Sequence, residues 1–299
     1  MARRVAFKDT VAVIQNIKED GGVILTNFSS NEDVQRVNTD AAPYIQKIID
    51  DRASQSLPRE TSRCFRLFGR SRTAREGWLQ QPAFLEVLNH FLRTETVPDN
   101  EYGSTVIETN AILSAAATLD IGPGVKAQDL HRDDFIWQQT HTVKEGQGYQ
   151  MGSDVSMGLL VPGVNTTKAN GATLVEKFLA TLSPYTDGAQ FVPGSHLWDH
   201  SRRPKKDAVA VEMAVGEAFL FLGSTVHAGV GWIFPFLDAQ DQLKGAQENQ
   251  HLLWSKDEVQ QWSLAAQKQA GYVLDNPFLG HCDEKNPVDV VGVDAEITG

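Results

Sequence analysis

The chain has 299 residues, of which 41% are hydrophobic and 22% charged, so it can fold as a globular protein with a sizeable buried core. Its formal net charge of -11 excludes a nucleic-acid backbone or an anionic membrane surface as the main partner, because both would repel it. No apolar run approaches the roughly 20 residues that span a bilayer, and no apolar segment follows the basic start, so we expect a cytoplasmic protein.

The first hundred residues are predicted to be mainly helical, because apolar residues recur at helical spacing behind suitable capping residues. The expected elements are a helix over residues 9–19, a short buried strand at 23–25, a helix that follows Ser29 and Ser30 and is interrupted at Pro43, and a helix over about 75–93.

From about residue 105 onward, short β-rich runs alternate with turns that contain glycine or proline. These runs are Thr105–Ile107, Ala111–Leu119, Ser156–Val161, Val209–Val215 and Ala218–Leu222. Helices followed by strands predict an α+β fold with a double-stranded β-helix (jelly-roll, cupin-like) core. We expect one domain over 1–299, with helical support over about 1–104, the jelly roll over about 105–250 and a C-terminal tail over about 251–299.

The most informative motif is His131-Arg132-Asp133, in the strand-rich region. On an extended strand, side chains two residues apart point to the same face, so this imidazole and carboxylate could reach one metal ion. The motif alone is weak evidence, because a His-x-Asp triplet arises easily by chance in a chain of this composition.

A third ligand is expected at His227, which follows the predicted strand Ala218–Leu222. Two histidines and one carboxylate form the facial triad of oxygen-activating non-haem iron enzymes. His196 is the alternative third ligand, but it lies in a Pro-Gly turn, where a histidine more often stabilises the turn. We therefore favour His227.

Four motifs, in this order, resemble the phytanoyl-CoA dioxygenase family: His131-Arg132-Asp133, Asn170-Gly171-Ala172-Thr173, Val192-Pro193-Gly194-Ser195-His196 and Thr225-Val226-His227-Ala228-Gly229. The residues of these motifs are most similar to those of the fungal branch of austinol-type multifunctional dioxygenases, and the resemblance spans roughly residues 10–229. It implies an iron(II)- and 2-oxoglutarate-dependent oxygenase, a homodimer, and a hydrophobic polycyclic substrate such as a fungal meroterpenoid.

Carried over by position, the resemblance implies no catalytic residue beyond the three iron ligands, His131, Asp133 and His227. It also implies that 2-oxoglutarate contacts Arg72, Gln128 and Thr167. Each of these has an ordinary alternative role: a solvated arginine in a basic stretch, a cross-strand glutamine and a turn threonine.

Two features depart from the family's pattern. About sixteen residues, 174–189, separate motifs that are almost adjacent in the family, so we expect an extra surface lobe or a gene-model error there. The family also has an arginine about a dozen residues after the distal histidine, whereas position 239 is Ala239 and no arginine follows Arg203. Lys244 is the nearest cation that could pair with the far carboxylate of 2-oxoglutarate, which would be costly to bury unpaired.

Three functions remain open from the sequence. The first is an iron(II)/2-oxoglutarate dioxygenase that hydroxylates, desaturates or rearranges its substrate. The second is an iron(II) isomerase that works without 2-oxoglutarate, and the third is a non-catalytic homologue. Other site classes are disfavoured, since the chain has neither a GxSxG elbow nor a P-loop and contains only Cys64 and Cys282, far apart.

Overall fold

Two principal β-sheets and a layer of helices make up most of the part of the chain that the computed structural model describes, namely residues 1–47, 61–97, 106–121, 128–167, 189–202, 207–228, 234–238, 253–274 and 285–290. Within these ranges no helix has the length and apolar composition that crossing a bilayer requires. The expected insertion at 174–189 falls outside them except for Ala189, and so do Lys244 and Cys282.

The elements are as follows. The strands are β1 (Arg4–Ala6), β2 (Gly22–Thr26), β3 (Gln46–Lys47), β4 (Thr61–Cys64), β5 (Thr94–Thr96), β6 (Ile107–Thr109), β7 (Ile112–Ile121), β8 (Ser156–Leu160), β9 (Gln190–Phe191), β10 (Val209–Ala210), β11 (Ala218–Leu222), β12 (His227–Ala228) and β13 (Phe234–Asp238). The helices are α1 (Thr10–Asp20), α2 (Asn31–Ala41), α3 (Leu67–Arg70), α4 (Pro82–Leu92), α5 (Lys256–Val259), α6 (Leu264–Gln269) and α7 (Pro287–Val290). Shorter helical turns are Ala42–Tyr44, Thr73–Trp78, Asp133–Trp137 and Ser195–Leu197.

The larger sheet has the strand order β1-β2-β11-β8-β13-β7-β4-β3, and the smaller sheet has the order β10-β9-β12. From β7 onward the chain alternates between them: β8, β11 and β13 join the larger sheet, while β9 and β12 lie in the smaller one and His131 pairs with its edge. This alternation is the double-stranded β-helix that the sequence predicts. The predicted α+β class with a jelly-roll core is therefore confirmed.

The inner face of the larger sheet packs on the smaller sheet. Phe219 of β11 lies with its ring 5.0 Å from that of Phe191 in β9, and Phe221 belongs to the same buried cluster. The other members of this inner core are Ala2, Ile24, Leu160, Ala189, Val211 and Met213.

The outer face of the larger sheet is covered by helices. Leu220 and Leu222, which alternate with the inner residues along β11, belong to one apolar core with the buried sides of α1, α2 and α4. The side chains of Asp9 and Ser30 cap α1 and α2, each accepting a 3.1 Å hydrogen bond from the backbone amide of the third helical residue. The helices are thus started by local chemistry and held by burial against the sheet.

The structure differs from the sequence prediction in three details. The expected helix over 75–93 is two elements, Thr73–Trp78 and α4, because Pro82 lacks a donor and starts a new helix. The expected helical support over 1–104 also contributes β1–β4 to the larger sheet. Part of the expected tail forms α5 and α6, and Trp262 between them packs 5.4 Å from Phe68 of α3. That the whole chain is one domain stays a prediction.

Candidate metal centre

His131 and His227 lie side by side at the edge of the smaller sheet. Each donates its backbone amide to the carbonyl of the other at 2.8 Å, which forms an antiparallel bridge next to β12. As a consequence, the two imidazole rings lie 4.7 Å apart on the same side of the sheet, although 96 positions separate them in the sequence.

Asp133 joins the pair from the turn that follows. Its backbone amide donates to the carbonyl of Gly223 at 3.0 Å, and it is the first residue of the helical turn Asp133–Trp137. The expectation that the His-x-Asp motif lies on a strand is therefore wrong for Asp133. Arg132 lies in no strand, but its backbone is extended, with φ of -110° and ψ of 145°. One extended residue between the two ligands is enough to bring both side chains to the same side.

The three side chains form a compact cluster. Nε2 of His227 lies 3.2 Å from one carboxylate oxygen of Asp133, and Nε2 of His131 lies 3.5 Å from the other. One potential ligand atom from each residue lies within 4.8 Å of the others, and no other group of this kind occurs in the described part of the chain. Oxygen and nitrogen atoms at this spacing can bind one divalent ion.

The backbone orients both rings. Nδ1 of His131 lies 2.8 Å from the carbonyl of Asp129, and Nδ1 of His227 lies 3.0 Å from that of Thr225. A carbonyl can only accept, so each Nδ1 carries the proton and each Nε2 presents a lone pair toward Asp133. This is the tautomer that a metal-binding imidazole needs.

The electrostatics of the cluster favour an ionised carboxylate. Burial of Asp133 opposes ionisation, but His227 and His131 outweigh this and hold the pKa of Asp133 well below its usual range. Burial likewise opposes protonation of His227, yet Asp133 raises the pKa of this imidazole above its usual value. The carboxylate thus attracts a cation, which can be either a proton or a metal ion.

The cluster is closed on one side and open on the other. His227 and Asp133 are buried, whereas the side chain of His131 is 30% exposed. Phe221 closes the inner side, with its ring 4.6 Å from that of His227. A ligand therefore reaches the cluster from the His131 side.

The structure does not bring together the three residues that are predicted to contact 2-oxoglutarate. Arg72 is exposed and follows α3, which packs on the outer face of the larger sheet. Gln128 is half-buried three residues before His131, and Thr167 is exposed at the end of a described segment. Their roles stay predictions, and the position of Arg72 in the outer helical layer does not favour its role.

His196, the alternative third ligand, lies outside the cluster. Its ring is buried, and Nε2 lies 3.1 Å from the carbonyl of Lys18 at the end of α1. Burial lowers the pKa of His196 to about 4, so the ring is neutral and Nε2–H donates to that carbonyl. This histidine joins the Pro-Gly turn to the helical layer.

The sequence analysis missed a buried acid near the site. Asp154 accepts a hydrogen bond from the hydroxyl of Ser224, in the turn that leads to His227. Burial is the main reason that the pKa of Asp154 is raised to about 6. No periodicity or spacing in the sequence marks this residue, because it lies in an irregular segment between the turn Asp133–Trp137 and β8.

Comparisons with known proteins agree with the resemblance that the motifs indicate. The family model described as Phytanoyl-CoA dioxygenase (PhyH) matches residues 179–231. The chain is 28% identical to a protein named Dioxygenase swnH1 from Metarhizium robertsii, over 100% of its own length and 93% of that protein. It is 27% identical to Dioxygenase peniF from Penicillium patulum, over 91% of its own length and 85% of the relative.

Among solved structures, the chain is similar to that of a non-heme alpha ketoglutarate dependent carbocyclase, SnoK, from nogalamycin biosynthesis. The TM-score is 0.49 at 12% identity, over 78% of this chain and 85% of that one. The family match and the fungal relatives confirm the predicted resemblance and the predicted enzyme class, a dioxygenase.

Proposed function

We propose that this chain, a phytanoyl-CoA dioxygenase-like protein, is an iron(II)- and 2-oxoglutarate-dependent oxygenase that acts on a hydrophobic small molecule. The convergence of His131, Asp133 and His227 within 4.8 Å carries this proposal. Two neutral imidazoles and one carboxylate are the ligand set with which non-haem oxygenases hold iron while they leave coordination positions free.

The residues present fit an iron ion. When both imidazoles are neutral and protonated at Nδ1, Oδ2 of Asp133 is buried with no hydrogen-bond donor in the described part of the chain. A divalent cation would satisfy this oxygen and both Nε2 lone pairs at once. Bound iron, with O₂ and the keto acid, would supply the oxidising power for hydroxylation, desaturation or rearrangement.

The chain's own residues bind, orient and exclude water. The carbonyls of Asp129 and Thr225 hold the two imidazoles in the ligating tautomer, and Phe221 keeps solvent from the inner side of His227. Because Phe221 covers the inner side of the cluster, ligands reach it from the exposed His131 side.

Two apolar side chains beside the site support a hydrophobic substrate. In the turn Asp133–Trp137, the first two residues and Trp137 are buried, whereas Phe135 is 65% and Ile136 is 37% exposed. A buried anchor that displays two large apolar groups next to a metal ligand is suited to a polycyclic hydrocarbon skeleton. We therefore propose a secondary metabolite of this type, such as a fungal meroterpenoid.

Arg63 is the cation that we propose for the far carboxylate of 2-oxoglutarate. On β4, Cys64 belongs to the outer core, so Arg63 points to the inner face, opposite Leu119 of β7. Its guanidinium lies 4.5 Å above the ring of Phe65, and its buried Nε has no hydrogen-bond partner in the described part of the chain. A buried donor without a partner on this face is suited to a carboxylate.

A homodimer is proposed on the resemblance alone, and a cytoplasmic location stays a prediction. Analytical ultracentrifugation of the purified full chain would give its mass in solution. A mass of about twice 32.9 kDa supports the dimer, and a single species of 32.9 kDa contradicts it.

Anaerobic titration tests the proposed function. The protein is loaded with iron(II), 2-oxoglutarate is added, and the charge-transfer band near ~500 nm that a chelated keto acid gives with iron(II) is measured. We expect a saturable band that is lost in His131→Ala and kept in His90→Gln, a matched histidine on α4 in the outer layer. Bound iron without a band favours the 2-oxoglutarate-independent isomerase, and no bound iron favours a non-catalytic homologue.

The same titration separates the two candidate arginines. We expect Arg63→Gln to weaken 2-oxoglutarate binding at least about tenfold, because a charge-assisted pair is lost, whereas Arg72→Gln has no effect. The opposite result would assign the carboxylate to Arg72, as the sequence resemblance implies. Wild-type affinity for 2-oxoglutarate in both variants would contradict both assignments.

A further inference from the structure

We infer that Arg132, the residue between the two ligands of the His-x-Asp motif, is a positioning residue that holds this motif against the segment that carries His227. The inference rests on the proposed function, because the set being positioned is the proposed iron site. The guanidinium of Arg132 donates to three backbone carbonyls. Nε donates to Ser224 at 2.7 Å, and one terminal nitrogen donates to Ser195 at 3.0 Å and to Trp198 at 3.2 Å.

The direction of this side chain follows from the extended backbone at Arg132. His131 and Asp133 point to the metal side, so the residue between them points away from it. On that side lie the turn 223–226 and the turn Ser195–Leu197, which receive the guanidinium. These hydrogen bonds of Arg132 go to backbone carbonyls, so it acts on the cluster through the backbone.

Both receiving turns are joined to His227. The hydroxyl of Ser195 accepts a 2.8 Å hydrogen bond from the amide of Val226, and the amide of Val192 donates to the carbonyl of Val226 at 2.9 Å. Ser224 is in the same turn, three residues before His227. A movement of either turn would therefore move the imidazole of His227 relative to Asp133.

The geometry also explains the motif Val192–His196, which the metal cluster does not use. The turn receives Arg132 through the carbonyl of Ser195 and holds Val226 through the hydroxyl of the same residue. One serine thus connects the segment of the first two ligands with the segment of the third. The motif is a support of the site, although none of its side chains enters it.

An arginine suits this position better than a lysine does. Three acceptors in two turns require donors spread over a plane, which a guanidinium has and a compact ammonium lacks. Removing the donors also leaves carbonyls of the support without partners, which costs free energy where they are buried. We therefore expect Arg132→Lys to restore only part of what Arg132→Gln loses.

Cobalt(II) is the probe for the test, because its visible absorption reports ligand geometry without turnover. The full-length protein is titrated as wild type, Arg132→Gln, Arg132→Lys and the control Arg202→Gln. Arg202 lies nearby on the surface, with its guanidinium 3.5 Å above the ring of Trp198 and paired with Glu145 at 2.6 Å. We expect about 10–100-fold weaker binding and an altered spectrum for Arg132→Gln, intermediate values for Arg132→Lys, and no change for the control.

Amide exchange of the metal-free proteins gives a second readout. We expect the backbone amides of residues 223–227 to exchange faster in Arg132→Gln than in wild type or the control, and by a larger factor than the amides of α4, which report the global stability. Wild-type affinity and spectrum in a folded Arg132→Gln overturn the inference, and so does full rescue by Arg132→Lys. If Arg132→Gln does not fold, Arg132→Lys with a wild-type affinity and spectrum overturns it. If the wild type binds no cobalt, the proposed function fails. Amide exchange then still decides whether Arg132 holds the turn.

Discussion

The two faces of the larger sheet differ in what fills them. On the outer face, side chains such as Leu220 and Leu222 meet helices in one continuous apolar core. On the inner face, Phe221 of β11 has a glycine as its neighbour in each adjacent strand, Gly22 in β2 and Gly158 in β8. The outer face is packed as a structural core is, whereas on the inner face the ring of Phe221 occupies the place that a side chain at Gly158 would take.

Buried polar atoms without hydrogen-bond partners also lie on the inner face and at the metal cluster. The hydroxyl of Ser156, Nε of Arg63 and Oδ2 of Asp133 are buried without hydrogen-bond partners in the described part of the chain. Each costs free energy in the absence of a ligand. The comparison teaches that the outer face of this sheet serves packing, whereas the candidate metal centre lies on the inner side.

The largest expected effect is on the outer face. Phe84→Ala removes a fully buried ring from α4, and we expect a loss of about 3–5 kcal/mol in the free energy of unfolding. Urea unfolding measures this loss. Cobalt(II) affinity at low temperature, where the variant remains folded, should equal that of wild type. A marked loss of affinity in the folded variant would show that the two faces are not separable.

The second effect concerns the buried acid near the site. The pKa of Asp154 is about 6 in the folded protein against 3.8 ordinarily, chiefly because of burial. A raised pKa means that the folded state binds the proton more tightly. The stability linked to this group is therefore present below about pH 4 and lost as the pH rises to about 6.

Asp154→Asn removes this titration and keeps an acceptor for Ser224. A difference of 2.2 between 6 and 3.8 corresponds to about 3 kcal/mol, by which we expect the variant to gain on wild type between pH 4 and pH 7. Urea unfolding of both proteins across this range measures the gain. A stability difference that is constant with pH would contradict the assignment.

The third effect is on the inner face. A Cβ atom at Gly158 would lie 2.3 Å from Cζ of Phe221, whose ring contacts His227. We expect Gly158→Ala to cost about 1–3 kcal/mol and to weaken cobalt(II) binding, because the displaced ring has to move toward or away from the imidazole. The control is Gly77→Ala, where the nearest atom, in Thr73, lies 3.7 Å away. Wild-type metal affinity in Gly158→Ala would show that the position of the Phe221 ring does not affect metal binding.

The smallest effect is at a helix end in the outer layer. Ser30→Ala removes the cap of α2, and we expect a loss of about 1 kcal/mol with unchanged metal affinity. Thermal or urea unfolding measures it, with Ser30→Asn, which keeps an acceptor at the cap position, as the control. A loss of the same size in both variants would show that capping is not its cause.

Much of the fold was predictable because its signals are local. Helix α1, Thr10–Asp20, lies within one residue of the expected 9–19, and β11 spans the expected Ala218–Leu222. Prediction failed where a partner distant in sequence decides. The strand Gly22–Thr26 pairs with β1 and β11, and only the assembled sheet shows that the N-terminal region is part of it.

For the site, the sequence by itself determined the identity of the three candidate ligands, since residue type and a two-residue spacing are local properties. The tertiary structure alone decided how they meet. The backbone bridge between His131 and His227, the tautomer set by the carbonyl of Thr225, and the inward direction of Arg63 all depend on contacts across the chain. Spacing along a sequence specifies which face a side chain takes, whereas what lies opposite that face is set by which strands become neighbours.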